Sequence, residues 1–280
     1  MGNPGTPSFL LLCALLFLLI LQSSSSASHI IGDDRHFDYD ENSEFGPEHW
    51  GDLYPDWATC KDGNNQSPID INHKDIEENS SIGSLMTRYD SSYAIMQNRG
   101  HDIMINWTEG TGPGAGFLSI DGKTYVLQQC HWHSPSEHKF FGERYPLELH
   151  MVHVSSDGSI AVIGIMYQFG SPDPFLSELK KYLEYLIMMQ KDEVVVGYLS
   201  PPPITKGASY YRYSGSLTTP PCTENVTWIL LHEVRTVSEE QLRLLRTAVH
   251  DKDNARPIQP INGRKVYLYK PRIHEDHASS

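Results

Sequence analysis

Three histidines define the chemistry this sequence can support. His131 and His133 lie two apart in LQQCHWH, Leu127–His133, and His150 lies in LELHMVH, Leu147–His153. Side chains alternate between the faces of a β-strand, so His131 and His133 share a face. In the second segment Glu148, His150 and Val152 share a face, and His153 points to the other. Two such strands, antiparallel and adjacent, would bring three imidazoles together from rigid supports. Zinc suits that set: it takes neutral imidazole nitrogen, and its catalytic sites use three protein ligands and leave a corner for water. A His-x-His pair alone is ordinary on a solvated strand. The groups beside this one strengthen the metal reading. Ligating histidines donate their second N–H to a carboxylate, amide or carbonyl, and Gln129 and Glu148 each stand two residues before a histidine on its own face. His138 and His153 read as ordinary polar residues.

The elements that must position these groups are mostly short β-like runs. Examples are Ala94–Met96, Ile103–Trp107, Thr124–His133, Leu147–Val154, Ile160–Tyr167 and Val226–His232, separated by Gly, Asn, Asp and Pro clusters. Two helices stand out. Pro174 to Gln190 carries Phe175, Leu179, Leu183, Leu186 and Ile187 on one stripe. Ser238 to Val249 opens with a Ser238…Gln241 capping box and turns Leu242, Leu245 and Val249 inward. A mainly β single domain with peripheral helices follows.

Composition narrows the function. The 280 residues carry a formal net charge of −13, which argues against a nucleic-acid partner, since phosphate binding needs a basic face. Phe9 to Leu21 is an unbroken apolar run, followed by serines and Ala27. It is short for a bilayer span and suits a signal peptide over residues 1–27, although no Lys or Arg precedes it; a signal anchor is the competing reading. Residues 28–45 read as a loose polar arm, 46–271 as the folded domain and 272–280 as a polar tail with no membrane anchor. Beyond the leader the cysteines are Cys60, Cys130 and Cys222, enough for one bridge and one spare thiol. Sequons at Asn79, Asn106 and Asn225 suit the secretory route. A fourth match at Asn65 is weakened by Pro68.

Several segments, taken together and in order, resemble the α-class carbonic anhydrases, most of all their plant members. These are GPEHW (Gly46–Trp50), QSPIDI (Gln66–Ile71), GH (Gly100–His101), CHWHSPSEH (Cys130–His138), ELHMVH (Glu148–His153), SLTTPPC (Ser216–Cys222) and ARPIQP (Ala255–Pro260). The resemblance implies a large, twisted, mostly antiparallel central sheet with zinc at the bottom of a funnel. It implies His131, His133 and His150 as ligands, with Gln129 orienting His131 and Glu148 orienting His150. The implied reaction is reversible hydration of CO2 to bicarbonate and a proton by zinc-bound hydroxide.

Further roles come from the same resemblance. Val152, Val162, Leu217 and Trp228 match the apolar wall that receives CO2. Thr218 matches the gatekeeper whose hydroxyl donates to Glu137, and Thr219 completes the substrate site. His101 stands at the proton-shuttle position with Tyr39 beside its water path. Arg99 and Met104 replace polar amides of fast members, and Arg99 would lower the pKa of His101 by charge repulsion. Both changes point to less than top-rank turnover. The resemblance pairs Cys60 with Cys222, leaves Cys130 a buried free thiol and suggests a cis bond before Pro221. Other functions on the same fold are a non-catalytic storage or binding protein, as in the dioscorins, and a zinc esterase. The expected location is the secretory pathway: extracellular or apoplastic, or a plastid reached by that route.

Overall fold

The computed structural model describes residues 35–107, 114–250 and 253–271. The expected leader (1–27) and polar tail (272–280) lie outside the described residues. The strands, in chain order, are β1 (Asp70–Ile71), β2 (Ile76–Glu78), β3 (Met86–Tyr89), β4 (Ser92–Asn98), β5 (Ile103–Asn106), β6 (Gly116–Ile120), β7 (Lys123–His133), β8 (Lys139–Phe140), β9 (Glu143–Arg144), β10 (Leu147–Ser155), β11 (Ile160–Phe169), β12 (Glu193–Leu199), β13 (Tyr210–Ser216), β14 (Glu224–Leu231), β15 (Arg235–Val237) and β16 (Val266–Tyr269).

One large sheet runs β12-β4-β5-β7-β10-β11-β14-β13-β16-β2, with β3, β6 and β15 attached beside it. Its pairs are mostly antiparallel; β11 runs parallel to β14 and β15, and β16 runs parallel to β2. β1, β8 and β9 form a small second sheet. No helix among the described residues is long and apolar enough to cross a membrane.

Alternation along the central strands gives the sheet two unlike faces. Cys130 and Trp132 of β7, Leu149 and Met151 of β10, and Ile163 and Ile165 of β11 join one buried core with Leu179 and Leu183 of the helix Pro174–Met189. Burying aliphatic side chains of this size is worth about 1.5–3 kcal/mol each, so this face anchors the sheet. The opposite face carries Gln129, His131, His133, Glu148, His150 and Val152.

Both expected helices form. Asp173 caps Pro174–Met189 by accepting from Leu176 N at 2.8 Å, and Gln190 closes it in a left-handed conformation. Ser238 and Gln241 form the reciprocal capping box of Glu239–Ala248. Of the loose arm expected over 28–45, residues 28–34 lie outside the described residues and the rest is packed. Phe37 and Tyr39 are buried with Trp50, Trp57 and the Cys60–Cys222 bridge, and Trp50 Nε1 donates to Asp38 O and Phe45 O. Aromatic burial outweighs the polar character of the segment, and the compact unit begins at Phe37.

Candidate metal centre

Register builds the site. β7 and β10 are antiparallel neighbours, with His131 opposite His150 and His133 opposite Glu148. The ring centroids of the three histidines are 4.6 to 5.3 Å apart. One nitrogen from each lies within 4.8 Å of the other two.

The remaining ring nitrogens are engaged elsewhere. His131 Nδ1 meets Gln129 Oε1 at 2.8 Å, His150 Nε2 meets Glu148 Oε1 at 2.7 Å, and His133 Nδ1 meets the backbone oxygen of Asn254 at 2.7 Å. Each partner oxygen accepts, so each ring carries its proton on that side and presents a bare nitrogen inward. The two strand-borne partners, Gln129 and Glu148, stand where the spacing places them. Asn254 does not: it lies 121 positions from His133 in the chain, and no local pattern points to it.

The electrostatics suit a cation. Burial drives the His131 imidazole well below its usual pKa, more than nearby Asp102 raises it. Burial also lowers His150, against the opposing pull of Glu148. Both rings are therefore neutral, the state a zinc ligand requires. His133 Nε2 and Glu137 Oε2 are fully buried with no hydrogen-bond partner. Buried polar atoms are rarely left so, and an ion among the three nitrogens would satisfy the first. The donor set, its tautomers and this orphaned nitrogen all fit zinc.

Glu148 is the most heavily bonded group beneath the site. It accepts the backbone N–H groups of Glu137 and His138 at Oε2, and His138 Nδ1 as well as His150 at Oε1. Burial would raise its carboxyl, but the adjoining His138 and His150 outweigh that and hold it well below the ordinary value. His138 is thus no ordinary polar residue: it is wholly buried on Glu148. Its place in a turn-rich connection gave no periodic signal. His153 faces away as expected, yet it too is buried, with Nε2 2.8 Å from the Tyr89 hydroxyl.

The apolar wall forms a row across three strands. Val152 of β10 pairs with Val162 of β11, which pairs with Trp228 of β14. All three are buried, and the Trp228 ring lies 4.8 Å from that of His150. Thr218 is buried, with Leu217 and Thr219 half-buried beside it, on the loop between β13 and β14. One expected contact takes another form. Glu137 Oε1 accepts the Arg256 N–H, while Oε2 turns toward His133 Nε2 at 3.5 Å and His150 Nδ1 at 3.9 Å and receives no bond from Thr218.

His101 packs 4.7 Å from the Phe37 ring and 6.4 Å from Tyr39. Its pKa is lowered to about 4, chiefly by burial; Asp102 raises it, and Arg99 lowers it by a smaller amount. The depression expected from Arg99 is present, but desolvation is the larger cause. Arg99 is bound to fully buried Asp102 through Nε at 2.8 Å and also through Nη2. Met104 is buried and pairs with His131 across β5 and β7.

Cys60 and Cys222 form the disulfide, Cys130 is a buried free thiol, and the Pro220–Pro221 bond is cis. Among the sequons, Asn225 is exposed and Asn79 half-buried. Asn106 is only 7% exposed inside β5, so a folded chain has little room for a glycan there.

Known proteins resemble this chain in sequence and fold. The sequence profile described as eukaryotic-type carbonic anhydrase matches residues 45–270. Alpha carbonic anhydrase 7 of Arabidopsis thaliana is 47% identical over 262 residues, spanning 92% of this chain and 94% of that protein. A crystal structure of dioscorin complexed with ascorbate superposes with a TM-score of 0.81 at 40% identity, covering 85% of this chain and 100% of the other. A hyperthermostable carbonic anhydrase from a hydrothermal vent chimney gives 0.71 at 34% identity, covering 84% and 100%.

Proposed function

Because the chain belongs to the eukaryotic-type carbonic anhydrase family, we propose that it catalyses the reversible hydration of CO2 to bicarbonate and a proton, with zinc held by His131, His133 and His150. One observation carries this reading: three bare imidazole nitrogens converge while every opposite nitrogen is bound to an oxygen. Zinc supplies a Lewis acid there and shifts the ionisation of water towards neutral pH.

The chain's own residues do the rest. The row Val152, Val162 and Trp228 offers uncharged CO2 an apolar place beside His150, with Leu217 closing it from the loop. Glu137 Oε2 keeps open acceptor sites, since Oε1 is taken by Arg256. In the working site the Thr218 hydroxyl donates its single proton to that oxygen, which leaves its own lone pair to orient the attacking water. The Thr218 backbone N–H stabilises charge on the substrate oxygen, and Thr219 borders the same place. His101 takes the released proton, with Tyr39 beside the path. The secretory route remains our reading of the leader, with Asn79 and Asn225 as the glycan sites.

A storage role on the fold shared with dioscorin is the second reading, and esters would test the same site for side activity. Metal analysis with a CO2 hydration assay separates these. One zinc per chain is expected, with hydration lost on chelation and restored on adding zinc. His150→Ala should lose the metal and lower hydration at least roughly a hundredfold. Hydration that survives zinc removal would refute the mechanism, and a chain that binds no zinc would favour storage.

A further inference from the structure

The hydrogen bonds at Glu148 continue away from the metal ligand along a buried line. His138 Nδ1 lies 2.8 Å from Glu148 Oε1, and His138 Nε2 lies 2.6 Å from the Tyr213 hydroxyl. That hydroxyl is 2.7 Å from Ser67 Oγ, which accepts the Ser216 N–H at 3.1 Å. Ser67 N in turn donates to Ser216 Oγ at 2.9 Å. Each member, from His150 to Ser216, is 2% exposed or less. Ser216 stands two residues before Thr218, so the line joins the third metal ligand to the base of the gatekeeper loop. The approach of Ser67 depends on Gly215, where a Cβ would come within 2.2 Å of Ser67 Oγ.

For a neutral His138, counting donors fixes every proton on the line. An ionised carboxylate only accepts, so His150 Nε2 and His138 Nδ1 both carry protons. His138 Nε2 is then bare, and the Tyr213 hydroxyl must donate to it. A phenol has one proton, so the Tyr213 oxygen accepts from the Ser67 hydroxyl. The Ser67 oxygen takes the Ser216 N–H, and no bond on the line is left over. The opposite tautomer of His138 would aim a bare nitrogen at Glu148 Oε1. Glu148 would then need a proton of its own there, in the place where it accepts from His150.

We infer that Ser67, Tyr213 and His138 are positioning residues that lock the tautomer of His150, holding its Nδ1 bare toward the metal site. The inference rests on the proposed zinc reading, but the proton positions it requires can be measured on zinc-stripped protein. It reaches one layer beyond the Glu148 contact and gives His138 and Tyr213 a role in metal affinity.

The test uses the full chain labelled with ¹⁵N-histidine. Long-range ¹⁵N–¹H spectra of the zinc-free protein should show His138 protonated on Nδ1 and His150 on Nε2. Tyr213→Phe keeps the ring and removes only the hydroxyl. His138 should then lose its single tautomer, and zinc affinity, measured by competition with a chelator, should fall about tenfold, the lower end of the usual effect of such outer partners. Ser67→Ala should act in the same direction and more weakly, and it serves if Tyr213→Phe does not fold. A folded variant with lowered thermal stability but unchanged zinc affinity would mean that the line is only structural and would overturn the inference. So would a wild-type His138 protonated on Nε2. A wild type that binds no zinc overturns the metal reading instead, and the tautomer spectra still decide the lock.

Discussion

An imidazole ligates a metal only through a nitrogen that carries no proton, so the informative contacts are those on the far side of each ring. Gln129, Glu148 and the Asn254 carbonyl supply them. His101 poses a different residue-scale problem, because burial holds its pKa at about 4 and a neutral-pH proton acceptor works best near the ambient pH. Turnover in dilute buffer should therefore be limited by proton release. Adding imidazole buffer should raise kcat several-fold while leaving kcat/KM for CO2 unchanged, as stopped-flow hydration would show. His153 gives the clearest pH effect on stability. Its pKa falls to about 4 through burial, below the unfolded value of 6.5. The unfolded chain thus binds the proton first, and stability drops as pH falls from about 6.5 to 4, by about 3 kcal/mol for this group. Urea unfolding across that range should show a shallower acid loss in His153→Asn than in wild type.

Strands place residues that lie far apart in the chain, and at this scale the register decides. Alternation along β7 and β10 was readable, because a period of two follows from the extended backbone. The neighbour on the other side of β10 was not. β11 brings Gly164 opposite His150, and an added Cβ there would come 2.5 Å from Leu230 Cδ2 and 3.1 Å from Glu148 Oε1. Gly164→Ala should destabilise the fold by about 1–3 kcal/mol through overpacking and weaken zinc binding by displacing Glu148. Urea unfolding and a zinc titration would measure the two effects separately. The helices were legible, since stripe and capping box are local: the Ser238–Gln241 box forms as expected, and the structure adds an Asp173 cap to the other helix.

Over the whole molecule, the site depends on segments tied together from both ends of the domain. Arg256, buried near the C-terminal end, donates to Gln66 Oε1, Ser67 O and Cys60 O, and its backbone N–H holds Glu137. The Cys60–Cys222 bridge closes a span of 162 residues and fixes the end of the Thr218 loop to the aromatic cluster of Phe37, Trp50 and Trp57. Removing it by Cys60→Ser should cost about 2–5 kcal/mol and lower the melting temperature measured by calorimetry. Phe37 and Tyr39, within the expected 28–45 arm, pack in the same cluster as the bridge.

Sequence alone determined what is periodic or local: two strands with histidines on one face, the carboxamide and carboxylate beside them, two helices, one with its capping box, and ordered segments specific enough to name a family. Tertiary structure decided everything that depends on neighbours distant in the chain. It made His138 a buried partner of Glu148, put Asn254 behind His133, aligned Val152, Val162 and Trp228 in one row, and enclosed His101 enough to depress its pKa. The physical reason is that alternation and capping are set by covalent geometry within a few residues, whereas desolvation, proton placement and packing are set by whichever groups the completed sheet brings into contact.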